Sequence, residues 1–269
     1  MTASASSVQL PNGLILPYSE RGNPSGAPVV LLHGFTDSLR SFDLVASSLP
    51  PSIHAIALTQ RGHGDAARPA SGYRVTDYAA DLEMFMDALS LEAAFIVGAS
   101  SGGLVAQLFA ADHPARVIGL VLIGSPVTLR GKPAVEELWN STISKLSDPV
   151  DPEFARRFQE STIASTVSPA FVETMVRESL KVPAHVWKAT TEGFLEDDFS
   201  SAVRRIKAPT LILWGDRDML TKADQEVLRA TVPGARLVTY PGAGHTLIAE
   251  EPVRVAADLT GFVEDVLTG

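Results

Sequence analysis

Ser100 stands in Gly98-Ala99-Ser100-Ser101-Gly102, directly after the apolar run Phe95-Ile96-Val97 and before Leu104–Ala110, which reads as a helix. A serine between strand and helix, with glycine two positions to either side, suits a turn too sharp for side chains at its flanks. Such a turn lifts the hydroxyl clear of the sheet. The pentapeptide alone is a weak signal, because small residues also gather in ordinary turns. A hydroxyl is a poor nucleophile until a base takes its proton, and the base needs an orienting acid. His245, in Pro241-Gly242-Ala243-Gly244-His245, follows the strand-like run Arg236–Tyr240 and precedes the helical stretch Val253–Val266, and is favoured as the base. Two carboxylates compete for the acid in Leu213-Trp214-Gly215-Asp216-Arg217-Asp218. Asp216, nearer the strand end, suits capping of turn amides; Asp218 suits reaching a histidine on the next loop and is favoured. The end of the preceding strand, Ile123-Gly124-Ser125-Pro126, carries no acid.

These residues need a frame. Continuous apolar runs at Val29–Leu32, Ile53–Leu58, Ala94–Val97, Leu120–Ile123, Thr210–Trp214 and Arg236–Tyr240 suit strands covered on both faces, as in a parallel sheet. Helical patterns at Phe42–Leu49, Val75–Leu89 and Gly103–Ala111 lie between them. The alternation predicts a doubly wound α/β sheet with function at the carboxyl ends of its strands. Near the start, Pro11-Asn12-Gly13 between Val8–Leu10 and Leu14–Leu16 predicts a hairpin. The alternation breaks over 126–205, where helix-like stretches at Ala134–Leu146, Glu153–Thr162, Ala170–Lys181 and Ala184–Leu195 are punctuated by prolines. The expected organisation is a core of residues 1–125 and 206–269, with 126–205 inserted as a helical lid over the strand ends.

Composition narrows the chemistry. With 269 residues, 45% hydrophobic and 20% charged, the chain can bury a sizeable core. Net charge is −9, so the basic footprint of a nucleic-acid binder is missing. No cysteine is present, which excludes disulfides, thiolate metal sites and a cysteine nucleophile. No His/Asp/Glu spacing suggests a metal site, and no cofactor is expected. Met1–Ser7 has neither the basic nor the apolar region of a secretory signal, and no apolar run approaches a membrane span. The expectation is a soluble cytoplasmic protein without a membrane or nucleic-acid partner. Of the other histidines, His33, His54, His63 and His113 read as structural, and His185 as a surface residue of the lid. Arg61-Gly62-His63-Gly64 reads as a glycine-rich turn held by Arg61 and His63.

The order Ser100…Asp218…His245, with Leu32-His33-Gly34-Phe35, Arg61-Gly62-His63-Gly64, Gly215-Asp216-Arg217-Asp218 and Gly242-Ala243-Gly244-His245, resembles the α/β-hydrolases, in particular their lidded esterase, lactonase and epoxide-hydrolase-like group. The resemblance spans nearly the whole chain. It implies an eight-stranded, mostly parallel sheet, and an oxyanion loop in which the amides of Phe35 and Ser101 bind the developing negative oxygen. His33 would brace that loop. Relatives that open epoxides or cleave carbon–halogen bonds carry aspartate at the elbow; serine here points to acyl transfer on a carboxylic ester or lactone. Ala99 and Ser101 depart from the bulkier residues common beside the nucleophile and leave the substrate open. The same three residues also serve carbon–carbon hydrolysis of ring-cleavage products and perhydrolysis, and a hydrolase-like small-molecule receptor is the alternative from another class. Trp139 and Trp187 in the lid, and Thr246 beside the histidine, are the candidate substrate contacts.

Overall fold

The computed structural model describes residues 5–269. Residues 1–4, the start of the Met1–Ser7 stretch read as lacking a secretory signal, lie outside the described residues. Strands β1 (Ala5–Gln9) and β2 (Ile15–Arg21) form the antiparallel hairpin expected around Asn12-Gly13. The chain then alternates through β3 (Ala27–Leu32), α1 (Asp43–Ser48), β4 (Ile53–Leu58), α2 (Val75–Ala88), β5 (Ala94–Ala99), α3 (Ser101–Asp112) and β6 (Val117–Ile123). It leaves the sheet for α4 (Pro133–Ser141), α5 (Pro152–Glu160), α6 (Pro169–Leu180) and α7 (Ala184–Glu196). It returns through β7 (Thr210–Gly215), α8 (Lys222–Thr231), β8 (Arg236–Tyr240), the short α9 (Leu247–Glu250) and α10 (Pro252–Thr268).

The eight strands form one sheet in the order β1-β2-β4-β3-β5-β6-β7-β8. β2 runs antiparallel to both β1 and β4, and the remaining pairs are parallel. The continuous apolar runs are explained by burial on both faces: every residue of β4 and β5 is buried. Successive side chains point to opposite faces. Thus Val30, Leu32 and Ile96 join a core under α2, α3 and part of the helical segment, while Val29, Leu31 and Val97 join a second core under α1, α9 and α10. Each fully buried side chain of this kind contributes about 1.5–3 kcal/mol relative to exposure. Two glycines let α3 close onto the sheet at the elbow. A Cβ on Gly98 would lie 2.5 Å from the Gly102 carbonyl oxygen, and one on Gly102 would lie 2.4 Å from that of Leu32.

One local expectation is corrected. Ala134–Leu146 is not a single helix: α4 ends at Ser141, Thr142 turns out of helical conformation at φ −134, and a 3-10 turn spans Ile143–Lys145. The polar, partly β-branched run Asn140-Ser141-Thr142 favours such a break. None of the residues of α4 is fully buried; Val135 and Leu138 instead face a cavity below it. Among the described residues no helix is long and apolar enough to cross a membrane.

Candidate active site

Ser100 occupies the turn between β5 and α3 with φ 50 and ψ −121, a backbone conformation that costs a non-glycine residue on the order of 1–3 kcal/mol. The surroundings over-determine it. The Ser100 amide donates to the Ile123 carbonyl at 2.9 Å, and its own carbonyl accepts from the Ser125 hydroxyl at 3.0 Å and the Gly103 amide at 2.9 Å. The hydroxyl therefore projects beyond the sheet edge at which β7 and β8 also end.

His245 Nε2 accepts a hydrogen bond from Ser100 Oγ at 2.8 Å. Its Nδ1–H donates to Asp218 Oδ2 at 2.7 Å, which sets the tautomer that leaves Nε2 free as a base. Asp218 is 3% exposed, and burial alone would oppose its ionisation. The hydrogen bond and charge of His245, then the hydroxyl and amide of Thr221, outweigh that and hold the carboxyl below its ordinary value. Thr221 Oγ1 donates to Oδ2 at 2.5 Å, and the Leu220 and Thr221 amides approach Oδ1 at 3.1 and 3.3 Å. Asp216 does something else: its Oδ1 accepts from the Gly242 amide at 2.7 Å and so ties the turn after β7 to the histidine loop. A Cβ on Gly124, at the end of β6, would come within 3.5 Å of Asp218 Oδ2, so the strand end that carries no acid lies beside the one that does.

The loop after β3 is a tight turn, with the Asp37 amide donating to the Gly34 carbonyl at 3.2 Å and Thr36 at φ 65. The Phe35 and Ser101 amides donate to no protein acceptor among the described residues, and Ser101 opens α3, where the helix dipole is positive. His33 braces this loop: Nδ1–H donates to the Gly34 carbonyl at 2.8 Å, and Nε2 accepts from the Gln60 amide at 3.0 Å. Burial, reinforced by neighbouring His63, lowers its pKa to about 3, so the ring stays neutral and Nε2 remains an acceptor. Arg61 pairs with buried Asp81 at 2.6 Å, and the His63 Nδ1–H donates to the Arg61 carbonyl at 2.8 Å, holding the glycine-rich turn after β4. His54 pairs with Glu20 at 3.0 Å and His113 with Glu83 at 3.3 Å, and neither lines the cavity beside Ser100.

A cavity of about 870 Å³ opens over Ser100 and His245. Its walls are largely apolar, with Leu138, Ile143, Phe154, Phe158 and Phe194 from the helical segment facing Ile123 and Ile248 of the sheet side. Thr246 lines it, and its hydroxyl shares a hydrogen bond with that of Thr162 at 2.6 Å. Trp139 and Trp187 do not line it, contrary to expectation. Trp139 packs half-buried against the core, and Trp187 is 0% exposed, wedged against the rings of Phe35, Phe154 and Phe158 at centroid distances of 5.0, 5.2 and 5.1 Å. An indole is large enough to serve as core for a small helical layer and leaves the smaller rings to face the cavity. Trp187→Ala should cost about 3–5 kcal/mol in urea unfolding, through the hole left behind Phe35.

Three contributors were not apparent in the sequence. The Thr162 carbonyl accepts from the His245 and Thr246 amides at 3.0 and 3.2 Å, so the chain after α5 holds the histidine loop. Gln159 Nε2 donates to Ser179 Oγ at 2.8 Å and Asp37 Oδ1 at 3.0 Å, linking α5 and α6 to the loop after β3. Asp37 lines the cavity, and burial pushes its carboxyl up to about 7 against the opposing effects of Gln159 and His245. Only Asp37 carried a visible hint, as an acid next to His33-Gly34-Phe35; the others depend on how the helical segment docks. Among the described residues no group of three or more His, Asp or Glu side chains is arranged to hold a metal ion.

Known proteins are similar to this chain in sequence or in fold. A non-heme haloperoxidase of Rhodococcus erythropolis is 28% identical, over 94% of this chain and 97% of its own. Lipase 3 of a Moraxella strain is 25% identical, over 95% of this chain and 83% of its own. The solved structure of an esterase from Exiguobacterium antarcticum superposes with a TM-score of 0.87 at 23% identity, covering 97% of this chain and all of that one, a likeness of fold. The family model of the alpha/beta hydrolase fold matches residues 27–252, from β3 to the start of α10, and the chain belongs to that family.

Proposed function

We propose that this alpha/beta hydrolase is a serine hydrolase that cleaves a carboxylic ester or lactone through an acyl-enzyme. The observation that carries the reading is the continuous hydrogen-bonded line from Ser100 Oγ through His245 to Asp218, at 2.8 and 2.7 Å, ending in a carboxylate held ionised. His245 takes the Ser100 proton as Oγ attacks the carbonyl carbon. The Phe35 and Ser101 amides bind the tetrahedral oxyanion, each such donor supporting the transition state by about 3 kcal/mol. His245 then passes its proton to the departing alkoxide, which leaves as the alcohol or, from a lactone, stays attached to the acyl chain. Water, deprotonated by His245, attacks the acyl-enzyme and releases the acid with Ser100 restored. The apolar walls favour a mainly hydrocarbon acyl or alcohol group, and residues 126–205 serve as the lid that keeps bulk water from it.

A second reading has one observation in its favour. The haloperoxidase name of a relative makes hydrogen peroxide an alternative acceptor for the acyl group, giving a peracid in place of the acid. Activity-based labelling tests the first reading without knowledge of the substrate. A fluorophosphonate should modify Ser100 of the wild type within minutes and leave Ser100→Ala unlabelled, as read by intact-protein and peptide mass. An unlabelled wild type would remove the activated serine on which both readings depend.

A further inference from the structure

The cavity contains a carboxylate oxygen that this mechanism does not use. Asp37 projects into it from the turn after β3, on the opposite side of Ser100 from Asp218. A Cβ built on Gly34 would stand 3.3 Å from Ser100 Cβ and 3.4 Å from Asp37 Oδ2, so little more than one methyl-sized space separates the nucleophile's carbon from that oxygen. The turn is not free to swing away: Thr36 is held at φ 65, its hydroxyl bonded to Ser179 Oγ at 2.9 Å. Gln159 of α5 fixes Asp37 Oδ1, which leaves Oδ2 with no partner among the described residues. Its charged neighbours are His245, already committed to Asp218 and Ser100, and Glu178 of α6, itself paired with Lys181 at 2.9 Å. Among the described residues no Lys or Arg is paired with this carboxylate, and Arg157 and Arg217 line the same cavity. Asp37 is only partly buried, and as it lines the cavity its carboxylate is open to a donor entering there.

We propose that Asp37 is the specificity-determining group of the cavity, its Oδ2 accepting a hydrogen bond from a hydroxyl that the substrate carries beside the scissile carbonyl. Hydroxylated esters are then preferred over their methylated counterparts, which have no proton to give. Esters with a carboxylate at that place are rejected by like charge. Burial raises this carboxyl to about 7, so at about pH 8 the oxygen is an ionised acceptor. This inference rests on the serine-ester reading above and names its substrate class.

Asp37→Asn isolates the effect. The side chain keeps its size and an oxygen to accept from Gln159, and turns an N–H towards the cavity where the carboxylate oxygen had been. Two matched pairs place the hydroxyl on either side of the ester: p-nitrophenyl β-hydroxybutyrate against β-methoxybutyrate, and hydroxyethyl butyrate against methoxyethyl butyrate. At about pH 8, above the carboxyl's value of about 7, the wild type should prefer the hydroxylated member of one pair by about tenfold or more in kcat/KM. Asp37→Asn should erase that preference and raise turnover of p-nitrophenyl hemisuccinate, whose carboxylate now meets a donor. Asp37→Glu, which keeps the charge but moves it, should lose the hydroxyl preference without gaining the hemisuccinate. Equal turnover of both members in both pairs by the wild type, or an equal fall for every ester in Asp37→Asn, would overturn the proposal. Calorimetric binding of the ethyl butyrate pair to Ser100→Ala, with and without Asp37→Asn, asks the same question without chemistry. Failure of ester cleavage and failure of hydroxyl recognition are thereby read separately.

Discussion

Ser100→Ala is expected to lower kcat for any accepted ester on the order of a million-fold, while the protein folds and still binds the ester. On the proposed mechanism the nucleophile is lost outright, and His245 then has no hydroxyl to deprotonate, so general-base attack by water is all that remains. A residual rate of roughly 10³–10⁴ over water is expected from binding and the amides of Phe35 and Ser101. Stability should change little. Alanine meets the same backbone conformation at φ 50 that serine does, and the bonds that hold the turn come from the Ser100 main chain and not from its hydroxyl. Thermal melting separates loss of chemistry from loss of fold. Ser101, the neighbouring hydroxyl, is 7% exposed in the first turn of α3, and removing it by Ser101→Ala should leave turnover within a few-fold. If Ser100→Ala retained turnover while Ser101→Ala lost it, the nucleophile would have been misassigned.

Asp218→Asn should cost about 10⁴-fold in kcat, and Asp216→Asn no more than a few-fold. The first change puts an amide opposite His245 Nδ1, which removes the charge that stabilises the imidazolium and favours the wrong tautomer. The second leaves an oxygen in place to accept from the Gly242 amide at 2.7 Å. A pre-steady-state burst with p-nitrophenyl butyrate distinguishes slowed acylation from slowed release. The reverse ranking of the two variants would transfer the acid role to Asp216. The depressed value of Asp218 also has a sign in stability. Its contribution is fully present above the unfolded carboxylate value of 3.8 and is lost only as pH falls through the lower folded value, so acid unfolding of Asp218→Asn should begin with less to lose.

Much of the scaffold was legible because it follows from local pattern. Runs such as Val29–Leu32 and Ile53–Leu58 lack polar alternation, and a strand of that kind is stable only when covered on both faces. Prolines 133, 152 and 169 each stand at the first helical position, where the missing N–H is harmless. Where local pattern was ambiguous, the expectation failed: the hydrophobic spacing of Ala134–Leu146 continues through Thr142, yet the backbone does not. The tryptophans show a different limit. Amphipathic spacing marks Trp187 as facing inward, but inward means a core around Phe35 as readily as a substrate cavity, and only the docking of α7 selects the former.

The sequence by itself determined the alternating α/β order, the glycine-flanked elbow at Ser100, and the chain order of serine, acid and histidine at strand ends. Each of these is written in neighbouring residues or in the order of elements. Tertiary structure alone decided the rest. It separated Asp218, 2.7 Å from His245, from Asp216, two residues away and bound to Gly242. It also brought Gln159 and Thr162 of the helical segment against Asp37 and the histidine loop. These contacts join residues far apart in the chain, and they depend on how helices dock over a sheet edge. Sheet register and helix docking set the direction of each side chain, and no local spacing encodes a direction that a remote element imposes.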